Sequence, residues 1–195
     1  MSPRESANNV DPMFLSRWSP RAFLEKPIPE ADLMSLFEAA RWAPSCFNDQ
    51  PWLFLYSKSE KDKALFLSLL MDSNQVWAKA APVLAFALTR KHFSHNQAPN
   101  RLAAFDTGAA WMSLALAAHK IGLATHAMGG FHQDAAYEKL QVPRDKFEIQ
   151  CAIAIGYRAD ADTLPTALRD RETPSQRKAT QTIAAAGSFP KDLLY

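Results

Sequence analysis

The sequence predicts a single α+β domain, and three observations carry that reading. Its 195 residues are 48% hydrophobic and 22% charged, an ordinary globular balance on enough chain to bury a core. Amphipathic stretches at helical spacing are interspersed with short apolar runs that read as strands. No repeat, low-complexity tract or linker divides the chain. Its six glycines form neither GxGxxG behind a strand nor the GxxxxGK pattern of a phosphate loop, so a Rossmann fold is not supported.

The elements follow in order. Residues 1–12 read as a loose lead, followed by a short apolar piece, Met13–Leu15. Arg17-Trp18-Ser19-Pro20-Arg21 places two guanidinium groups and a hydroxyl within five residues. Pro20 disfavours a continuous helix there, so the strip is extended or turned. It can present both arginines to one anion, or it is a solvated basic surface. Pro27 and Pro29 precede a helix from about Glu30 to Trp42, with Leu33, Leu36, Phe37 and Ala40 on one stripe. Next comes Ala43–Trp52, APSCFNDQPW, in which Pro44 and Pro51 each fix φ and remove a donor. Ser45, Cys46, Asn48, Asp49 and Gln50 lie between them. Such a set complements the edge of a flat heterocycle, or it forms an Asx-type turn bonded to its own backbone.

Leu53–Tyr56 reads as a buried strand and Glu60–Met71 as an amphipathic helix bearing Leu65, Leu69 and Leu70. Asn74–Ala80 is a short helical piece ended by Pro82, and Val83–Leu88 a buried strand. Lys91–Asn100 is polar and irregular. His92 and His95 are three apart, but no cysteine or carboxylate follows at ligand spacing, so a loop over a pocket is preferred to a metal site. Arg101–His119 is a long helix expected to be buried nearly all round, with Gly108 permitting close approach by a second helix. Ala124–Met128 is a strand running into Gly129-Gly130-Phe131, where a paired glycine lets something near the backbone or simply turns the chain. Asp134–Leu140 is a helix and Phe147–Tyr157 a strand. The last forty residues carry Arg169, Arg171, Arg177 and Lys178, then an apolar tail of Phe189, Leu193, Leu194 and Tyr195. That tail, within 180–195, is expected to dock on a partner subunit.

A formal charge of +2 gives no general case for nucleic acid or an anionic membrane, so each basic cluster has a local purpose. Two cysteines make no disulfide framework and the N-terminal stretch has no apolar signal core, which points to a reducing cytoplasm. Leu102–Ala118 is apolar, but Asp106, Thr107 and its alanines make it a poor membrane span.

Four landmarks in order resemble the nitroreductase family of FMN-dependent oxidoreductases, over roughly Phe14 to Ala179. Arg17–Phe23 is similar to the family's RxSxRxF motif, and Ala43–Trp52 to its APSxxNxQPW motif. Asn74-Gln75, ahead of Ala81-Pro82, resembles its asparagine-bearing helix, and Ile121–Phe131 its GLxTxxMGGF segment. The resemblance implies a mostly antiparallel sheet flanked by helices, in an intertwined homodimer with two FMN sites at the interface. It implies that Arg17 and Ser19 bind the FMN phosphate with Trp18 close by, and that Arg21 faces the ribityl or pyrimidine side. Arg177 completes the phosphate clamp, with Lys178 beside it. Pro44, Ser45 and Cys46, with Asn48 of the same motif, reach the flavin of the second subunit. Asn74 bonds the pyrimidine, while Met128, Gly129 and Gly130 bring backbone amides near N5 and O4. Trp18 and Cys46 depart from many relatives.

The implied activity passes hydride from NADH or NADPH through flavin N5 to a flat electron-poor acceptor, a nitroaromatic or quinone, in two half-reactions. The cofactor carries that chemistry, so no protein side chain is expected to act as a catalytic base and no metal is expected. The alternatives are a non-catalytic flavin-binding dimer, or a relative acting on another small carbonyl or enoyl substrate.

Overall fold

A computed structural model describes residues 4–190. Four strands form one sheet: β1 (Trp52–Tyr56), β2 (Val83–Arg90), β3 (Ala124–Met128) and β4 (Phe147–Gly156). Their order is β1-β2-β4-β3, and all three pairings are antiparallel. Seven α-helices occur among the described residues: α1 (Pro12–Ser16), α2 (Glu30–Arg41), α3 (Glu60–Ser68), α4 (Asp72–Ala78), α5 (Ala103–Lys120), α6 (Gln133–Lys139) and α7 (Thr166–Arg169).

The continuous apolar run of β2 follows from its central place, because both faces of the strand are covered. Successive side chains alternate between two cores. Leu84, Phe86 and Leu88 enter a layer with Phe66, Leu69, Trp77, Phe131 and Tyr137. Val83, Ala85 and Ala87 face the other way, with Ile153 and Ile155, toward Leu36, Ala40, Ala110 and Leu114 of α2 and α5. The small residues of β2 lie on the face that the long helix covers, where a larger side chain would hold α5 off the sheet.

Boundaries differ from expectation where tertiary contacts compete. α3 stops at Ser68 rather than Met71, because Leu70 leaves the helix to form a bridge with Phe131. Its start is secured by a capping box between Ser59 and Asp62. β2 runs on to Arg90, whose backbone pairs with Phe147. The expectation that the long helix is buried nearly all round is not met. α5 buries Asp106, Thr107, Ala110, Leu114 and Ala118, while Phe105 is 77% and Met112 43% exposed on its other face. A Cβ built at Gly108 meets no atom within 4 Å, so no second helix approaches it within one chain. Among the described residues no helix is long and apolar enough to cross a membrane.

The lead is fastened at one point. The Arg4 guanidinium donates to the carbonyls of Leu15, Arg17 and Ser175. Of the apolar tail, Phe189 is 70% exposed, and Leu193, Leu194 and Tyr195 lie outside the described residues.

Candidate active site

The strip Arg17–Arg21 is not helical, in keeping with Pro20, and runs beside the start of β3. A cavity of about 330 Å³ opens beside it, lined by Arg4, Trp18, Ser19, Arg21, His126, Arg171, Thr173, Ser175 and Arg177. Arg17 lines a neighbouring cavity with Ser16, Trp18, His119, Thr125 and Arg158. Its guanidinium reaches the Ser19 hydroxyl at 3.5 Å. The arginines crowd one another. Burial first, then the charges of Arg177 and Arg4, make Arg17 easier to deprotonate than an ordinary guanidinium, and burial with Arg177 does the same to Arg4. Like charges crowded around one cavity suit an anion of high charge density, such as a phosphate.

His126 sits at the floor of this cavity. Its Nδ1–H donates to the Pro20 carbonyl at 2.9 Å, and its ring lies 4.7 Å from that of Trp77. Burial keeps it below the usual histidine range, helped by Arg21 and opposed by the Pro20 bond and Glu172. With Nδ1–H bonded to Pro20, Nε2 is the acceptor of the neutral ring.

β3 is an edge strand, and it leads from His126 to Gly129 and Gly130, roughly 13 Å at 3.3 Å per residue. There Asn74, on α4, donates through Nδ2 to the Gly130 carbonyl at 2.9 Å, and the Met71 N–H donates to the same oxygen at 3.1 Å. A Cβ at Gly130 would stand 2.7 Å from the Asn74 amide nitrogen, so only glycine leaves this amide undisturbed. At Gly129 a Cβ meets open space, and Gly129 is exposed. Met128 itself is buried in the core. Asn74 and Gly130 thus form a notch bearing backbone and side-chain polar groups, at the other end of β3 from the arginines.

The turn Ala43–Trp52 lies elsewhere. The Cys46 N–H donates to Asp106, in the first turn of α5, at 3.0 Å. The strip is fastened to the far end of that helix, where the Ser16 hydroxyl and His119 Nε2 are 2.7 Å apart. Asp106 and His119 are separated along α5 by roughly 20 Å at 1.5 Å per residue. One chain therefore does not bring Pro44, Ser45, Cys46 and Asn48 together with Arg17, Ser19 and Arg21. Much of the turn's polarity is spent internally: the Gln50 N–H donates to Ser45 Oγ, Gln50 Nε2 to the Asn48 carbonyl, and Asp49 is buried. Asp49 accepts from Arg90 at 2.9 Å and from both the backbone and hydroxyl of Ser94. These bonds fix the 91–100 loop against the turn. Phe47 is presented outward, 78% exposed at φ 54°, edge-on to Phe93 and His95. Left-handed φ at Phe47, Asn48 and Gln50 is backbone strain that the internal bonds and two prolines sustain.

The nitroreductase family model matches residues 15–76 and 57–157, most of the chain. The chain belongs to the nitroreductase family. A solved oxidoreductase containing FMN is 46% identical to this member, with 97% of this chain and 98% of that one covered at a TM-score of 0.92. A protein of Stenotrophomonas maltophilia, provisionally named an NADH dehydrogenase/NAD(P)H nitroreductase, is 33% identical over 85 residues, 44% of this chain and 43% of its own length. One of Streptomyces coelicolor, with the same provisional name, is 32% identical over 100 residues, 51% of this chain and 49% of its own. These matches span about half the length of either relative.

Several residues around the basic cavity and the turn escape a reading of the sequence. Arg4 and His126 line the basic cavity, the first from a segment without pattern, the second as one ring within the strand ATHAM. Arg171 lines it together with Arg177, so the C-terminal stretch contributes both. Lys178 is exposed next to Arg177. Asp106, Arg90 and Ser94, which hold the turn, could be found only through the fold.

Proposed function

We propose that this chain is an FMN-dependent NAD(P)H oxidoreductase that works as a homodimer. The observation that carries the reading is the path along β3, from an arginine-rich cavity at His126 to the Asn74–Gly130 notch. A flavin mononucleotide asks for those two things in that order, a phosphate clamp and polar groups at a ring edge. FMN, when bound, supplies hydride acceptance from NADH or NADPH at N5 and delivery to a flat electron-poor acceptor such as a nitroaromatic or quinone.

The chain's own residues bind and orient. Arg17, Ser19 and Arg177 hold the phosphate, with Trp18 and Lys178 flanking, and each charge-assisted bond contributes about 1.5–3 kcal/mol. Arg21 turns toward the ribityl or pyrimidine side. Asn74 would hold the pyrimidine, and the backbone of Met128–Gly130 would hold the ring on its N5 and O4 side.

Pro44, Ser45, Cys46 and Asn48 serve the flavin of the second subunit. Their separation from the arginines along α5 supports that assignment, as do the exposed Phe105 and Met112 and the open space at Gly108. The two cysteines are free, in keeping with a reducing cytoplasm. The test is FMN uptake by dialysed protein, followed by anaerobic addition of each nucleotide and then of separate acceptors. Bound FMN that no nucleotide reduces would make this a flavin-binding dimer instead.

A further inference from the structure

Glu172 is a buried carboxylate in a segment that the sequence marks only by its arginines. It is 9% exposed, yet no lysine or arginine pairs with it among the ion pairs of the described residues. One oxygen accepts the backbone N–H of Arg21 at 2.7 Å and that of Ala22 at 2.9 Å, from residues 150 positions away. Its other oxygen is buried with no partner. Burying a carboxylate with one oxygen unpaired is costly, so the two backbone bonds that the other oxygen accepts must offset that cost.

The position of Glu172 shows what it joins. Arg171 and Thr173, on either side of it, line the basic cavity, and Ser175 and Arg177 follow. Opposite them in the same cavity stand Ser19 and Arg21 of the strip. Two consecutive backbone donors from the strip converge on one carboxylate oxygen, so the two walls are fastened at one point. Arg4 adds a second fastening at the outer side, through Ser175 and the carbonyls of Leu15 and Arg17. Without Glu172 the segment bearing Arg171 and Arg177 would have to be ordered against mutual repulsion among the arginines.

We propose that Glu172 is a positioning residue for the cofactor phosphate: by holding Arg21 and Ala22 it brings Arg171 and Arg177 against the strip. This rests on the FMN reading of the cavity. The carboxylate does not touch the cofactor; it acts through the arginines.

The experiment is titration of FMN, followed by quenching of its fluorescence, into dialysed full-length protein. The variants are Glu172→Ala, Glu172→Gln, Arg177→Ala and the Glu172→Ala/Arg177→Ala double. Glu172→Ala is expected to weaken FMN about tenfold or more, the equivalent of one charge-assisted bond lost. Glu172→Gln keeps an acceptor oxygen for both amides and is expected to stay within about threefold of the parent, on the same scale. Arg177→Ala is expected to cost far less in the Glu172→Ala background than alone, because a displaced arginine has little left to lose. If Glu172→Ala does not fold by circular dichroism, Glu172→Asp takes its place, with its oxygen withdrawn by one methylene and the same loss expected. Independent, multiplying effects of the two substitutions would overturn the proposal, as would parent-like affinity in Glu172→Ala or no rescue by Glu172→Gln. A parent protein that takes up no FMN would instead overturn the cofactor reading itself.

Discussion

At the scale of single residues, the notch and the arginines make separable demands. Gly130→Ala drives a methyl against the Asn74 amide, which sits at the end of a side chain free to rotate. The substitution should therefore cost stability little and FMN affinity about tenfold, as Asn74 swings away. Isothermal titration beside a thermal melt separates the two effects. Asp49 makes the opposite case. Burial alone would push its carboxyl up, but the bonds from Ser94 and the Arg90 charge outweigh that and hold it below its ordinary value of 3.8. Its folded-state value is thus depressed, so the stability it contributes is present above about pH 4 and lost as pH falls through the depressed value. Asp49→Asn should flatten the decline in urea midpoint below about pH 4, and Asp49→Ala should cost about 2–3 kcal/mol at neutral pH. A parent and Asp49→Asn with identical acid profiles would contradict this account.

At the scale of elements, what the sequence reveals depends on how local the cause is. β2 and β4 were legible because they sit mid-sheet, so VLAFAL and the Ile149, Ile153 and Ile155 series announce themselves. β1, expected to be buried, is instead an edge strand with Leu53 42% exposed. β3 was legible to the residue because a double glycine ends it. The end of α3 was not, because the Leu70–Phe131 bridge that stops it joins residues sixty apart. The turn Ala43–Trp52 was only half legible. Its prolines and short polar side chains predict stiffness, but not that Phe47 takes a left-handed conformation. Nor do they show that Asp49 faces inward to Arg90 and Ser94. Glu172 and Arg4 were invisible, since their partners lie far away in sequence and carry no motif. The outer face of α5 was misjudged for a different reason: an apolar helix face reads the same whether its own chain or another covers it. Met112→Glu places a charge in that face and leaves the buried side untouched. It should shift the molecule toward monomers in sedimentation velocity without lowering the helix content of the chain.

At the scale of the whole molecule, a cofactor shared between two chains ties assembly to binding. The arginines and the notch lie beside one chain's edge strand, toward its two ends, whereas the turn fastened to Asp106 stands at the other end of α5. If the turn of the second chain completes each site, FMN affinity should fall with protein concentration as dimers dissociate, and Met112→Glu should weaken FMN even though it touches no site residue. Equal FMN affinity in monomer and dimer would place the site within one chain. The most direct test of the central claim is the absorption spectrum of purified protein reconstituted with FMN, recorded before and after anaerobic addition of NADH or NADPH. The account predicts a protein that retains a flavin spectrum through dialysis and bleaches on addition of at least one nucleotide, recovering its colour when a quinone or nitroaromatic is added. A protein that stays colourless when offered FMN would contradict it.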